Sequence, residues 1–179
     1  MKIWNALRNA AIGWPMILRG DAGWRERFAL TAPGLTTALI IFIFATFLAV
    51  AAASMSIGMP GILGLVAAMF ALALPLVALV LVFMGTKKAM NSADPVLDVL
   101  VPATYALTAF LLAEGLLAML GGPLVMLAWF GLAYLLYRLA RAATRWNVAI
   151  SAGFAVLTVL LLVAMRLALY MVSSAGVPT

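Results

Sequence analysis

Two charged residues lie within long apolar stretches of this sequence, and any chemistry inside a membrane would begin with them. Glu114 is the only acidic residue in any apolar run, and Arg166 is the only basic residue inside one. An ionisable side chain within a membrane-spanning segment is costly, so it usually has a partner or a function. Charge-based chemistry within the membrane would therefore have to involve Glu114.

The depths of Glu114 and Arg166 can be compared because both predicted helices start from the same face. Glu114 lies 16 residues beyond Asp98, and Arg166 lies 20 residues beyond Trp146. At ~1.5 Å of rise per residue these separations are roughly 24 and 30 Å, and an arginine side chain leans back toward its helix N-terminus. The geometry therefore permits an ion pair between Glu114 and Arg166. The alternative is separate positions, with Arg166 reaching the outer headgroups and Glu114 protonated or facing an aqueous crevice.

Two further features could carry a function within or beside the membrane. Pro75 lies near the middle of an apolar run, where it predicts a kink that could serve as a hinge, although a purely structural kink is the commoner case. Arg138, Arg141 and Arg145 recur at three- and four-residue spacing, which predicts a basic stripe on a helix extension. That stripe could contact anionic lipid headgroups, or it could simply set the orientation of the chain.

Asp94 and Asp98 share a helix face at four-residue spacing. Such a pair could indicate a metal or phosphate-enzyme motif. The simpler interpretation is that Asp94 caps the next helix, with Pro95 in its first position, while the carboxylates pair locally with Lys87 or Lys88. Pro102 then leaves two possibilities: one bent helix from Pro95, or a short interfacial piece before a span that starts at Pro102.

The missing residue types exclude most enzyme chemistry. The chain has no Cys and no His, which removes thiolate nucleophiles, disulfides, His bases and the usual ligands of zinc, haem and iron–sulfur clusters. There is no glycine-rich phosphate loop and no Gly-x-Ser-x-Gly turn. The sequence therefore predicts a protein that is not an enzyme and has neither cofactor nor metal.

The composition predicts an all-α, polytopic membrane helix bundle. Of 179 residues, 68% are hydrophobic and 9% charged, too few polar residues to cover a soluble domain. Spans of about 20 residues use nearly the whole chain. Five are predicted, at about residues 29–53, 61–85, 95–120, 123–138 and 147–172.

The segment 1–28 precedes the first predicted span and carries five basic and two acidic residues. Helical spacing of its apolar residues predicts a short amphipathic helix in the membrane interface, which Pro15 is expected to limit. Trp24 and the charged residues 25–27 are expected to form an interfacial collar before the first span. Apolar residues of the helix with this spacing are Ile3, Trp4, Leu7, Ala11 and Trp14.

The distribution of positive charge predicts the topology. The net charge is +6, and ten of the eleven basic residues flank spans, so a nucleic-acid partner is not expected. Segments on one face carry five, two and three basic residues, and the segments between them carry none. The N-terminus is therefore predicted to be cytoplasmic, and the outer tail, residues 173–179, periplasmic. Compact loops favour a bacterial inner membrane.

The run Asp98-Val-Leu-Val-Pro-Ala-Thr-Tyr105 and the segment Trp129–Asn147, with its basic end, resemble the Yip-domain family of five-span membrane proteins over residues 95–172. The glycine-rich approach to the third span in many bacterial members is replaced here by residues 85–91. The resemblance implies a non-enzymatic protein that acts through partners. We therefore expect a scaffold or accessory subunit of a membrane complex, contacting lipid and other subunits or copies of itself. The alternative is a small transporter or channel component that uses Glu114.

Overall fold

The computed structural model describes residues 3–57 and 61–175, and this part of the chain is helical without any strand. The end of the predicted first outer loop (58–60) and most of the predicted outer tail (176–179) lie outside the described residues. The six α-helices are α1 (Ile3–Arg19), α2 (Ala32–Ile57), α3 (Ile62–Ala89), α4 (Val96–Leu120), α5 (Val125–Ala143) and α6 (Val148–Ala175). Two short 3-10 helices, Ala22–Arg27 and Gly122–Leu124, precede α2 and α5.

Five of the described helices are long and apolar enough to cross a membrane, which confirms the predicted all-α membrane bundle. Compared with the predicted bounds, α3 continues to Ala89 and α5 to Ala143, because each has a basic last stretch that remains helical. The apolar stretches are Ala32–Ser54, Gly64–Ala89, Val96–Leu120, Val125–Ala143 and Val148–Val172.

The bundle is built around α4. About 67% of its most apolar stretch is buried inside the protein, against 22 to 33% for the other four spans. Helices α2 and α5 pack most extensively on α4, and α6 packs on α5 and α3. The buried hydroxyls of Thr104 and Thr108 donate to the carbonyls of Leu100 and Thr104, at 2.8 and 3.0 Å. Buried polar groups on this helix are thus satisfied locally, as a low-dielectric interior demands.

Two prolines lie inside long helices without interrupting them. Helix α4 runs from Val96 to Leu120 through Pro102, so this segment is one continuous helix rather than a short interfacial piece followed by a span. Helix α3 likewise continues through Pro75, the predicted hinge, which is buried against the bundle. Both prolines are buried in the bundle, and proline is tolerated in membrane-spanning helices that pack against neighbours.

Helix α1 is present but longer than predicted, because it continues through Pro15 to Arg19. Its small residues Ala6, Ala10 and Gly13, with Ile17, form the face that packs on the ends of α2, α4 and α5. Trp4 is 75% exposed on the opposite side. Tertiary packing along this small-residue face outweighs the local cost of a proline in the helix.

The side chain of Trp24 packs inside the protein and does not form the outward-facing collar that was predicted. It is 2% exposed and lies edge-on to Phe28, with 6.1 Å between ring centroids. Phe28 in turn lies 6.0 Å from Tyr105 on α4. A β-carbon on Gly13 would come within 2.5 Å of the Phe28 ring, so a glycine lets this ring pass close beneath α1. The connection from α1 to α2 is therefore folded into the bundle.

Candidate functional site

The structure brings Glu114 on α4 and Arg166 on α6 together through two side-chain hydrogen bonds. Arg166 Nη2 donates to Glu114 Oε2 at 2.9 Å, and Arg166 Nη1 donates to Glu114 Oε1. The side chain of Glu114 is only 14% exposed, and that of Arg166 is 25% exposed. A two-pronged guanidinium–carboxylate contact is the strongest form of side-chain ion pair, and its planar geometry fixes the direction of both groups.

Two aromatic rings complete the surroundings of this ion pair. The guanidinium carbon of Arg166 lies 5.0 Å from the centroid of Trp129 on α5 and 6.0 Å from that of Phe110 on α4. The rings meet edge to face, with 5.7 Å between centroids. Cation–π attraction is larger where the cation is shielded from water. The guanidinium of Arg166 on α6 is therefore contacted from two other helices, α4 and α5.

The sequence could have indicated one of these rings but not the other. Phe110 precedes Glu114 by four residues and so lies on the same face of α4. Trp129 comes from a neighbouring helix, and only the packing of α5 against α4 and α6 places it beside Arg166. This three-helix contact, defined by Phe110, Glu114, Trp129 and Arg166, is called the charge clamp below.

The charge clamp connects α4 to α6 directly. Both oxygens of Glu114 are engaged by Arg166, so the acid in this state has no free oxygen directed at a substrate. Helices α4 and α6 approach each other closely at few other points. The ion pair is therefore a direct tie between two spans that are mainly separated by α5 and α3.

The three arginines near the other end of the bundle do not form one helical stripe. Helix α5 ends at Ala143, so Arg145 lies in the connection to α6 and that part of the prediction is wrong. Arg138 is half-buried and donates to the carbonyl of Ile17 at 3.4 Å, while Arg141 donates to the carbonyl of Trp146 at 2.8 Å. Both of these arginines connect separate segments of the protein. Arg145 is exposed, and its guanidinium donates no hydrogen bond to the described residues.

Asp94, in the loop before α4, and Asp98, in the first turn of α4, make separate contacts. Pro95, rather than the predicted Asp94, occupies the N-cap of α4. The Asp94 carboxylate instead accepts from the Ser92 hydroxyl at 2.6 Å and from the backbone N–H of Arg145 at 3.3 Å. Lys87 donates to the backbone carbonyl of Asp94, not to its carboxylate.

Asp98 pairs with a residue far away in the sequence rather than with Lys87 or Lys88 in the last turn of α3. Arg25 Nε lies 3.0 Å from Asp98 Oδ2, and another nitrogen of Arg25 donates to the carbonyl of Ala143 at 3.3 Å. This contact joins the segment before α2 to α4 and α5. Among the described residues, no group of three or more acidic side chains could hold a metal ion.

In comparisons with protein-family models, with curated proteins and with solved structures, nothing matches this chain. The resemblance to the Yip-domain family therefore stays a prediction. Function has to be argued from the described residues alone.

Proposed function

We propose that this chain is a non-catalytic integral membrane protein that acts as a scaffold or accessory subunit of a membrane complex. The observation that carries the proposal is the engagement of Glu114, an acid well inside the span α4, by Arg166 through both carboxylate oxygens. A catalytic or ion-carrying acid needs an accessible oxygen in its working state. This one stabilises the bundle.

The outer surface of the bundle supports the same proposal. Helices α2 and α3 have 33% and 22% of their apolar stretches buried, so most of their length faces outward. Lipid covers such surfaces, and helices of other membrane subunits can replace it through van der Waals packing. A bacterial inner membrane, with the N-terminus cytoplasmic and the C-terminus periplasmic, is the location that the charge distribution supports.

Purification from native membranes tests this proposal. The tagged protein, cross-linked in intact membranes before mild detergent extraction, is expected to co-purify with one fixed set of membrane proteins in constant ratio. A tagged five-span protein of unrelated sequence, expressed at the same level, controls for non-specific capture. Recovery of the chain alone, or with the same proteins as the control, would contradict a scaffold role.

The second candidate is a small transporter or channel component. It is favoured by the partial exposure of the charge clamp, with 25% of the Arg166 side chain accessible, because a clamp that opens would release Glu114. Proteoliposomes that conduct ions or take up substrate, and lose this activity in Glu114→Gln but not in Asp98→Asn, would favour this candidate. Asp98→Asn is the matched control because it removes a carboxylate from the same helix.

A further inference from the structure

We propose that a cavity at the basic end of the bundle binds the headgroup of a phospholipid with a primary ammonium, such as phosphoethanolamine. The cavity has a volume of about 490 Å³ and opens between the ends of α3, α4 and α6. The apolar spans end beside it at Ala89, Val96 and Val148. The cavity thus lies at the boundary of the membrane, where lipid headgroups are found.

The anion-binding part of the cavity is formed by Arg145. Its side chain is exposed, and within residues 3–57 and 61–175 no group accepts a hydrogen bond from its guanidinium. The cavity also borders Asn147 at the start of α6, whose side-chain oxygen accepts from the backbone N–H of Ile150 at 2.9 Å. An arginine beside a helix N-terminus is a favourable place for a phosphate.

The cation-binding part of the same cavity is formed by Asp94. One of its carboxylate oxygens accepts from Ser92 and Arg145, and the other accepts nothing from the described residues. A purely anionic headgroup would be repelled by this carboxylate, and a purely cationic ligand would be repelled by Arg145. A zwitterion with a phosphate and an N–H donor satisfies both groups.

The walls between the two charges fit a lipid better than a water-soluble ion. Met90, Pro95, Trp146 and Ile150 give the cavity an apolar lining next to its charged residues. Lys87 is not among the residues that line the cavity; it donates to the backbone carbonyl of Asp94 and so helps to hold the loop that carries this carboxylate. An acyl chain leaving the headgroup can follow the outward surface of the adjoining spans.

Native mass spectrometry of the full-length protein in detergent tests this site with three lipids of identical acyl chains. Phosphatidylethanolamine is expected to bind about tenfold more tightly than phosphatidylcholine, which has no N–H, because one charged hydrogen bond is worth about that factor. Phosphatidylglycerol, which has no ammonium, is also expected to bind about tenfold more weakly than phosphatidylethanolamine.

Two variants separate the two parts of the site. Asp94→Asn keeps an oxygen that accepts from Ser92 and Arg145, and should abolish the preference for phosphatidylethanolamine over phosphatidylcholine. Arg145→Gln should weaken the binding of both lipids, and Arg145→Lys should retain most of it. Asp21→Asn and Arg8→Gln change the same charges at exposed positions away from the cavity, and should change nothing.

Several results would overturn the proposal. One is that the wild type binds all three lipids equally. Another is that Asp21→Asn loses the preference for phosphatidylethanolamine as fully as Asp94→Asn does. A third is that phosphatidylglycerol binds most tightly of the three and binds more tightly still to Asp94→Asn. Competition by soluble glycerophosphoethanolamine distinguishes the source of the ligand. If glycerophosphoethanolamine displaces phosphatidylethanolamine at a similar concentration, the site recognises the headgroup alone and a soluble compound can be its ligand. If it does not displace the lipid, the ligand is the membrane phospholipid with its acyl chains.

Discussion

Glu114 and Arg166 show how a single pair of charges can be tolerated within a membrane. Each charge alone would be poorly solvated at its depth, but together they form a neutral unit with two parallel hydrogen bonds. Trp129 then covers one face of the guanidinium. The cost of placing the charges there is offset by contacts that no lipid chain could supply.

The energetic coupling of this pair can be measured in detergent. We expect Glu114→Gln to lower the free energy of unfolding by about 2 kcal/mol, because it leaves a fixed positive charge in a partly buried place. Arg166→Leu should cost less, since it removes the guanidinium, the group that keeps its charge in any surroundings. The double variant should recover much of the loss, giving a coupling energy on the order of 1 kcal/mol or more.

The pair of Arg25 and Asp98 provides the matched control for that cycle. The Arg25 side chain is 47% exposed, so its coupling to Asp98 should stay below about 1 kcal/mol, as for other accessible pairs. Additive effects at Glu114 and Arg166 would mean that the contact contributes nothing to stability. A coupling energy between Glu114 and Arg166 no larger than that between Arg25 and Asp98 would lead to the same conclusion.

At the scale of helices, the sequence was most informative where hydropathy alone decides the structure. The five spans follow from their length and apolar composition, and counting residues from a shared face placed Glu114 and Arg166 at similar depths, which left an ion pair open without deciding it. It was least informative where packing between distant segments decides. Trp24 is buried by Phe28 and α1, and Arg145 is detached from its predicted stripe because α5 ends at Ala143.

The same limit explains the length of α1. A proline in position 15 lowers local helix stability, and nothing nearby in the sequence reveals the surface that compensates. That surface is made by the ends of α2, α4 and α5, together with the ring of Phe28 beneath Gly13. The docked position of α1 therefore depends on the absence of a side chain at Gly13.

Two glycine substitutions test how α1 is docked. Gly13→Ala would place a β-carbon 2.5 Å from the Phe28 ring, whereas Gly131→Ala on α5 meets nothing within 4 Å. Both gain about 1 kcal/mol of helix propensity. Crowding should cancel that gain at Gly13 and cost about 1 kcal/mol more, since Phe28 is itself packed against Trp24 and Tyr105.

The measurement for these two variants is the rate of limited trypsin cleavage at Arg19, at the end of α1. It should rise in Gly13→Ala and stay at the wild-type rate in Gly131→Ala. Equal rates in the two variants would mean that the close approach of Phe28 does not hold α1 in place.

At the scale of the whole molecule, the positions of the basic residues agree with the alternating direction of the successive spans. Helix α2 leads away from the basic N-terminal segment, and α3 returns to Lys87 and Lys88. Helix α4 leads away again, and α5 returns to the arginines at its end. All of these basic residues thus lie at one end of the bundle. Positive residues are retained on the cytoplasmic side during insertion, so this end should face the cytoplasm.

Single cysteines can test the orientation without background, because the natural chain has none. Ala22 and Ala89 are exposed at the basic end, and Gly61 is exposed at the opposite end with nothing near its missing β-carbon. In intact cells with a permeabilised outer membrane, an impermeant thiol reagent should label Gly61→Cys and leave Ala22→Cys and Ala89→Cys unlabelled. Disrupting the inner membrane should make all three react, which controls for accessibility. Labelling of Ala22→Cys and Ala89→Cys alone would reverse the orientation, and the lipid-headgroup cavity would then face the periplasmic leaflet.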